Sequence, residues 1–271
     1  MLELTDPEFA NLQRFIYERA GITMTPAKKA LISGRLAKRL SVRGLKSYGA
    51  YHALVTEGQD HAEAQIAVDL LTTNETYFFR EPRHFEHLGH LAATRARHAG
   101  PMRVWSAASS SGEEAYTIAM VLADRLEGQT FEVIGTDIST RVLERARTGH
   151  YPEARMRNIP VALLKRYCLK GGGSYAGTML VERAIRERVR FLHANLNDTL
   201  PAGLGMFDAV FLRNVMIYFN GDTKQHVVAR ALSLLKPGGF LYIGHSESLH
   251  GLDVCVQPVA PSIYRKTHVP E

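Results

Sequence analysis

The stretch RVWSAASSSGEEAYTIAMVLADRL, residues 103–126, decides the fold. It begins as a short apolar strand around Val104 and Trp105, passes through a turn of small residues and continues as an amphipathic helix. A second apolar stretch, FEVIGTD, occupies 131–137 and ends on Asp137. Strand, small-residue turn, helix and acid-tipped strand are typical of the first half of a nucleotide-binding α/β unit. The turn presents backbone N–H groups to a ligand, and the acid can accept hydrogen bonds from ribose hydroxyls.

The charge at the start of this helix indicates the kind of nucleotide. A dinucleotide site uses G-x-G-x-x-G and places a pyrophosphate at the helix N-terminus. Here the turn reads Ala-Ala-Ser-Ser-Ser-Gly, and the helix opens with Glu113 and Glu114. These carboxylates would repel a pyrophosphate and attract a cation, so S-adenosylmethionine, with its ammonium and sulfonium, fits better than NAD. The alternative is that both glutamates only compensate the helix dipole.

Composition limits the remaining classes. With 271 residues, 45% of them hydrophobic, we expect two domains. No apolar run is long enough to cross a bilayer and no signal peptide is recognisable, so we expect a cytoplasmic protein. The two cysteines and twelve histidines lack metal-ligand spacing, so no metal site is expected. A net charge of +6 favours an acidic partner, whether nucleic acid, protein or membrane surface.

Residues 1–71 are predicted to form an all-helical domain. Asp6 is the candidate N-cap of the first helix, and a second helix is expected over 25–40. Residues 28–46 contain seven basic side chains and no acid. This run is either a solvated face or a docking surface for an acidic helix or a phosphate backbone.

Residues 72–90 form the predicted linker between the domains. Asn74, Thr76 and Arg80 stand there among three aromatic residues. Polar groups set into an aromatic cluster at a domain boundary are a place to expect a ligand pocket. The alternative is that Asn74 and Thr76 cap a turn while Arg80 covers aromatic surface with its stem.

Residues 91–271 are predicted to form the α/β domain. A small β insertion is expected at about 151–192, with strands at 178–181 and 189–192, and a final edge strand at 262–266. Ligands of open α/β sheets bind outside the carboxyl ends of the strands. Polar residues predicted at those ends include Asp137, Asn195, Arg213, Asn214, Tyr218 and His245.

Five motifs in order, LLTTNETYFFRE, AASSSGEEAY, GTDIS, FLRNVMIYF and LKPGGFLYIGHSE, closely resemble the CheR-type chemotaxis receptor methyltransferases. The resemblance implies a Rossmann-like S-adenosylmethionine methyltransferase domain with a small antiparallel β subdomain, preceded by an all-helical domain. It also implies methyl esterification of glutamate side chains on the cytoplasmic helices of a chemoreceptor, with S-adenosylhomocysteine as the product.

The family's cofactor pocket carries over to specific positions. The resemblance assigns to it Asn74, Thr76, Arg80, Glu113, Asp137, Asn195, Leu196, Arg213 and Asn214. Departures from the family pattern are small: Ser111 stands where Thr is common and Ala115 where Pro is common. Neither removes a polar ligand, so an active enzyme is expected.

The substrate carboxylate, with a pKa of roughly 4.3, is ionised at neutral pH and needs no general base. Arg80 is the candidate for orienting it, with Arg213 and Tyr218 as second choices. In the family, the basic helices meet the receptor's methylation helices, and some members grip a C-terminal receptor pentapeptide through the β subdomain. Gly171-Gly172-Gly173 resembles the glycine loop of those members. A nucleic-acid methyltransferase and a noncatalytic adaptor are the alternatives from other classes.

Overall fold

The computed structural model describes residues 2–58, 60–96, 100–126 and 128–267. The chain begins with four helices, α1 (Asp6–Ala20), α2 (Lys29–Val42), α3 (Tyr48–Thr56) and α4 (His61–Leu71). A capping box starts α1, because the side chains of Thr5 and Glu8 each accept the other's backbone N–H. Thr5 is therefore the N-cap, and the prediction of Asp6 was one residue late.

These four helices pack around one apolar core, as the helical spacing of the apolar residues predicted. Its fully buried members include Leu12, Phe15, Ile16, Ile32, Leu36, Leu40 and Tyr51. Burial of one such side chain stabilises the fold by roughly 1.5–3 kcal/mol. The core belongs to the helical domain alone, separate from the two apolar clusters on either face of the α/β sheet.

The α/β domain contains the remaining elements. They are α5 (Pro82–Ala93), β1 (Met102–Ser106), α6 (Glu113–Arg125), β2 (Phe131–Asp137), α7 (Thr140–Thr148), β3 (His150–Pro152), α8 (Val161–Tyr167), β4 (Cys168–Lys170), β5 (Thr178–Val181), α9 (Arg183–Arg186), β6 (Val189–His193), β7 (Phe207–Leu212), α10 (Gly221–Ser233), β8 (Leu235–Ile243), β9 (Val256–Ala260) and β10 (Ile263–Lys266).

Seven strands form the main sheet in the order β6-β2-β1-β7-β8-β10-β9. The first five are parallel, with Val104 of β1 paired to Val133 on one side and to Ala209 on the other. The chain leaves β1 towards β2 and later returns to β7 on the opposite side. This reversal of direction at β1 is the switch point at which open α/β sheets bind ligands.

Two strand predictions were wrong. β6 (Val189–His193) does not belong to the β insertion, because it pairs in parallel with β2 in the main sheet. The final strand β10 is antiparallel as expected, but it is not the edge, since β9 pairs along its outer side. The first error concerns pairing between distant segments, which local sequence pattern does not encode. The second arises because β9, the strand just before β10 in the chain, was not predicted.

The small antiparallel sheet has the order β3-β5-β4 and uses residues between His150 and Val181. This β subdomain ends at Val181, before β6, whereas the predicted subdomain extended to about residue 192. Among the helices of the described residues, none combines the length and apolar character that crossing a bilayer requires.

Candidate active site

A cavity of 330 Å³ lies where the helical domain meets the carboxyl ends of the parallel strands. The turns after β1, β2 and β7 contribute Ala107, Asp137 and Arg213, and the helical domain contributes Arg35. The last residue of α4, Leu71, and residues 72–77 of the linker form a further wall. Its size falls within the range of small-molecule sites, roughly 300–1,000 Å³. The predicted linker pocket and the predicted strand-end site are therefore one cavity.

The small-residue turn holds Asp137 in place. Both carboxylate oxygens accept backbone N–H groups, Oδ2 from Ser110 and Oδ1 from Ser139, at 2.8 and 2.9 Å. Burial raises the pKa of Asp137 to about 6, against the lowering effect of these two donors. Each oxygen keeps a second lone pair, so the carboxylate can still accept hydrogen bonds from a ribose diol at the cavity wall.

Glycine is required where this turn enters α6. Gly112 is the N-cap residue and has φ of +94°, a left-handed conformation that side chains disfavour. A Cβ there would also approach the Cβ of Ala146 to 2.9 Å. The turn therefore cannot accept a larger residue at Gly112 without moving the first turn of α6.

The two glutamates at the start of α6 have different environments. Glu114 lines the cavity, accepts the Ser106 hydroxyl at 2.6 Å and pairs with Arg213 at 2.9 Å. Glu113 lies outside the cavity, where it accepts Ser111 Oγ at 2.7 Å and pairs with Arg155 at 2.8 Å. Consecutive helical residues point about 100° apart. The prediction of Glu113 as a cofactor ligand was therefore wrong, and Glu114 occupies that position.

Arg213 is the centre of a buried ion-pair network. Its Nη1 pairs with Glu114 and its Nη2 lies 3.0 Å from Glu81 Oε2. Nη2 also donates to the carbonyl of Arg80, and the guanidinium lies over the ring of Phe85. The side chain is 1% exposed. Arg213 thus ties the end of β7 to both α6 and the linker, with its charge already matched by carboxylates.

Glu81 in turn holds two groups beside the cavity. Its Oε1 accepts the amide of Asn214 at 3.4 Å and the backbone N–H of His245 at 3.2 Å. Glu81 has φ of +60° and Asn214 has φ of +57°, so both adopt the left-handed conformation. Non-glycine residues in this region cost energy that the surrounding contacts must offset. The Glu81 carboxylate supplies such contacts at the carboxyl end of β7.

The linker wall is fixed by its own polar groups. Asn74 donates its amide to Thr72 Oγ1 at 3.1 Å, and its carbonyl accepts Ser110 Oγ at 3.0 Å. Arg80 donates Nη1 to the carbonyl of Glu75 at 3.1 Å and lies over the ring of Tyr77, 5.6 Å from its centroid. Unlike Arg213, the Arg80 guanidinium has no carboxylate partner among the described residues.

Tyr218 and Asn195 complete the opposite wall. The Tyr218 phenol hydrogen-bonds to Thr73 and interacts electrostatically with the Arg80 guanidinium. Burial raises the pKa of Tyr218, with Arg80 opposing the rise, so the phenol is neutral at physiological pH. Asn195 donates Nδ2 to the carbonyl of Arg19 at 2.7 Å, which joins this wall to the end of α1.

Arg35 and Lys28 of the helical domain line the cavity, although the sequence interpretation placed both on the surface. Arg35 of α2 donates to the carbonyls of Leu71 and Thr72 at 3.2 and 3.0 Å. Burial lowers its pKa, and it lines the cavity rather than the outer face. Its position three residues after inward-facing Ile32 is the signal that could have identified it.

The structure brings nearly all of the predicted site residues to one place. Those that line the cavity are Asn74, Thr76, Arg80, Asp137, Asn195, Leu196, Arg213, Asn214 and Tyr218. Glu113 and His245, the latter also predicted for the strand-end site, do not line the cavity, and Glu114 and Arg35 were missed. The cavity combines an acid at the second strand, a small-residue turn and a buried carboxylate, which together suit a nucleoside bearing a cationic tail.

Several basic side chains in residues 28–46 form ion pairs with acids elsewhere in the helical domain, which the sequence of the run does not indicate. Arg39 pairs with Glu63, and Arg43 lies 2.9 Å from Asp60, both acids belonging to the start of α4. Lys29 pairs with Asp6. Of the four lysines in this run, Lys28, Lys38 and Lys46 are exposed and have no ion pair among the described residues. These three form the part of the run that is available to an acidic partner.

The β subdomain exposes apolar side chains around β4. Leu169 of β4 is 49% exposed and Tyr175 of the following glycine-containing turn is 63% exposed. β4 pairs only with β5, so its other side is a free edge within the described residues. A free strand edge beside apolar side chains is the arrangement that β-strand addition uses.

Comparisons with known proteins agree with this geometry. Residues 74–263 match the family model described as CheR methyltransferase, SAM binding domain, and residues 7–72 match CheR methyltransferase, all-alpha domain. The chain is 41% identical over 254 residues to the chemotaxis protein methyltransferase of Escherichia coli K12, covering 93% of this chain and 88% of that protein.

Two further comparisons complete this result. Chemotaxis protein methyltransferase 2 of Pseudomonas aeruginosa PAO1 is 37% identical over 262 residues, 96% of this chain and 93% of that one. Among solved structures, TrmN from Thermus thermophilus has a TM-score of 0.39 at 20% identity, over 68% of this chain and 47% of that one. This TM-score is too low to support a conclusion.

Proposed function

This chain belongs to the CheR methyltransferase family, and from that premise we propose that it methylates glutamate side chains on the cytoplasmic helices of a chemoreceptor. The methyl donor is S-adenosylmethionine, and the products are a glutamyl methyl ester and S-adenosylhomocysteine. One observation supports this assignment most strongly: Asp137, Glu114 and Arg80 line the same cavity, and Arg80 has no carboxylate partner within the described part of the chain.

The residues present suit this cofactor. Asp137 can accept the ribose hydroxyls, and Asn195 and Leu196, which also line the cavity, can contact the adenine. Glu114, with Asn74 and Asn214, provides a polar region for the amino-acid end, where a carboxylate matches an ammonium. When bound, S-adenosylmethionine supplies an electrophilic methyl group on a sulfonium. The residues of the chain bind this cofactor, orient the substrate carboxylate and exclude water.

The substrate needs orientation rather than activation. A glutamate carboxylate with a pKa of roughly 4.3 is ionised at neutral pH, so no general base is required. Arg80 has donors available beyond its bond to Glu75, and it can hold one carboxylate oxygen while the other attacks. The neutral Tyr218 phenol can donate a second hydrogen bond near the same place. Such fixed geometry is the main source of rate in a direct displacement.

Arg213 has a positioning role in this proposal. Its guanidinium is 1% exposed and is paired to both Glu81 and Glu114. A substrate carboxylate would have to displace one of these buried partners to reach it, at a large energetic cost. Arg213 therefore holds Glu114 and the linker in place, and Arg80 meets the substrate.

The receptor reaches the cavity across the helical domain. Lys28 lines the cavity, Lys38 adds an exposed positive charge on α2, and Lys46 adds another in the loop between α2 and α3. Methylation helices with clustered acids would be attracted to this surface. Because those helices are cytoplasmic in the family, we propose that the enzyme acts in the cytoplasm.

The β subdomain supplies a second proposed contact. A short receptor pentapeptide can pair with the free edge of β4 and place an aromatic side chain against Leu169 and Tyr175. This contact would tether the enzyme to its receptor without entering the cavity.

Transfer of a labelled methyl group tests the proposed reaction. Labelled S-adenosylmethionine is incubated with the enzyme and membranes bearing candidate chemoreceptors, and the protein fraction is then treated with mild base. Label that is incorporated and then released as methanol is the expected result. Label on RNA, or base-stable label on protein, would contradict the proposal, because only a carboxyl methyl ester is cleaved under these conditions.

A further inference from the structure

Three potential metal ligands converge beside the cavity. Glu81 is the N-cap residue of α5, His84 lies in the first turn of that helix, and His245 follows β8. Glu81 Oε2 is 3.5 Å from His84 Nδ1 and 4.0 Å from His245 Nε2. One ligand atom from each residue lies within 4.8 Å of the other two. Carboxylate and imidazole are ligands that zinc accepts together.

The imidazole of His84 is buried without a hydrogen-bond partner among the described residues. This holds for both ring nitrogens, and the side chain is fully buried. A buried polar group without a partner destabilises the fold, and a ligand that satisfies it removes this cost. A neutral imidazole whose nitrogens have no other partner offers a free lone pair, and this is the form that binds metals.

We propose that Glu81, His84 and His245 bind a transition-metal dication such as Zn²⁺. Tetrahedral zinc with bonds of roughly 2.0–2.1 Å places its ligand atoms roughly 3.3 Å apart, so the three separations need only shorten. His245 is 50% exposed, and its freedom gives the ion a route from solvent and allows the ring to adjust. Two imidazoles favour zinc over Mg²⁺ or Ca²⁺, which prefer oxygen ligands.

The neighbouring carboxylates and Arg213 allow a cation to bind, and its binding would change the contacts of Arg213. Two carboxylates, Glu81 and Glu114, share the single guanidinium of Arg213, so the cluster can accept more positive charge. The metal and Arg213 compete for the same oxygen, Oε2 of Glu81. Occupation by metal therefore loosens Arg213, which lines the cofactor cavity. Metal is an inhibitor in this scheme; the inhibition rests on the proposed function, whereas the binding does not.

Calorimetry and absorption with Co²⁺ and Zn²⁺ test the site directly. The full chain, prepared without a histidine tag and stripped with EDTA, is titrated with each metal alone. One site per chain is expected, with visible absorption of Co²⁺ in a low-symmetry environment. His245→Ala is expected to weaken binding at least about tenfold, and the exposed His250→Ala is the matched control that leaves it unchanged. His84→Gln is a second variant, checked for folding by its thermal transition.

The metal titrations and the inhibition assay test separate parts of the proposal. Equal affinity in wild type and His245→Ala, or an equal loss in His250→Ala, would overturn the proposal, because either result places the ion elsewhere. The second readout is inhibition. Zn²⁺ should raise the KM for S-adenosylmethionine in wild type, and EDTA should reverse the effect. In His245→Ala, Zn²⁺ should leave the KM at the value that this variant has without metal. Binding without inhibition would retain the metal site and remove only the link to Arg213.

Discussion

Arg213 Nη1 lies 2.9 Å from Glu114 Oε2, and this buried ion pair joins the end of β7 to the first turn of α6. β7 pairs with β1 in the sheet and α6 follows β1, so the ion pair fixes the separation of β7 and α6 at the cavity wall. Removing one partner of such a pair leaves an uncompensated buried charge, which costs about 3–5 kcal/mol. The contact is therefore structural and functional at once, and variants of Glu114 must be tested with their folding monitored.

Glu114→Gln is expected to weaken S-adenosylhomocysteine binding at least about tenfold, because it removes the carboxylate that faces the cavity. The adjacent Glu113→Gln is the matched control and should change binding by less than about threefold, since Glu113 faces Arg155 outside the cavity. Isothermal calorimetry gives both affinities, and thermal unfolding reports the stability of each variant. A larger loss of affinity in Glu113→Gln would contradict the assignment made from the structure.

Arg80→Ala is expected to lower kcat by about 10–1,000-fold while cofactor binding falls much less, because the guanidinium orients the substrate carboxylate. Arg80→Lys should recover part of the rate, since it keeps the charge but loses the planar fork of donors. Single-turnover methylation at saturating cofactor measures the effect. Full activity in Arg80→Ala would show that another group orients the substrate.

Cofactor affinity is expected to depend on pH through Asp137. Burial raises its pKa from 3.8 to about 6, with Asp69 adding to the rise and His193 opposing it. As pH falls through about 6 the carboxylate takes up a proton and loses acceptor capacity, so affinity should drop roughly tenfold per unit below that pH. Above it, affinity should be constant.

Calorimetry across this range, with Asp137→Asn as the control, tests the assignment. The variant should bind weakly at every pH and lose the dependence. The same shift means that ionising Asp137 in the unliganded fold costs stability as pH rises from 3.8 to about 6. An affinity profile that is the same in wild type and Asp137→Asn would assign the pH dependence to another group.

Receptor methylation is expected to weaken with salt, because the Debye length falls from about 10 Å at 0.1 M to about 3 Å at 1 M. Lys38→Glu should lower kcat/KM for the receptor severalfold at low salt without changing cofactor affinity, since Lys38 is exposed and lies outside the cavity. Lys224→Glu on α10 carries the same charge change away from α2 and serves as the control. Equal effects of the two variants would indicate a response to net charge alone.

Peptide binding by the β subdomain is expected to depend on Gly171. A Cβ at Gly171 would lie 2.1 Å from the carbonyl oxygen of Tyr175, so Gly171→Ala must open the turn next to β4. Gly172→Ala is the control, because a Cβ there meets no atom within 4 Å. Calorimetry with an aromatic-acidic pentapeptide should show binding that only Gly171→Ala weakens. No heat with the wild-type chain would remove this contact from the account.

The order of elements and most of the cavity could be predicted from sequence, for identifiable reasons. Apolar spacing gives α1 and α2 directly, and the pattern around β1, α6 and β2 is local to residues 102–137. Once the strands are known to be parallel, the strand-end rule brings Asp137, Asn195 and Arg213 together without knowledge of side-chain contacts.

The remainder depends on contacts between distant segments. Choosing between Glu113 and Glu114 requires the rotational phase of α6, which changes by about 100° if the helix starts one residue earlier. The placement of Arg35 and the pairing of Arg39 with Glu63 arise from the packing of α2 against the linker and α4. β6 joins the main sheet through its pairing with β2, although its local pattern suits either sheet.

The most direct measurement is the location of the methyl group on the receptor. Purified enzyme, S-adenosylmethionine and a chemoreceptor cytoplasmic fragment are incubated together, and the digested fragment is analysed by tandem mass spectrometry against an Arg80→Ala control. We expect methyl esters on glutamate side chains of the receptor helices, greatly reduced in the control. Methyl groups on lysine or arginine, or glutamate esters formed equally by Arg80→Ala, would contradict it.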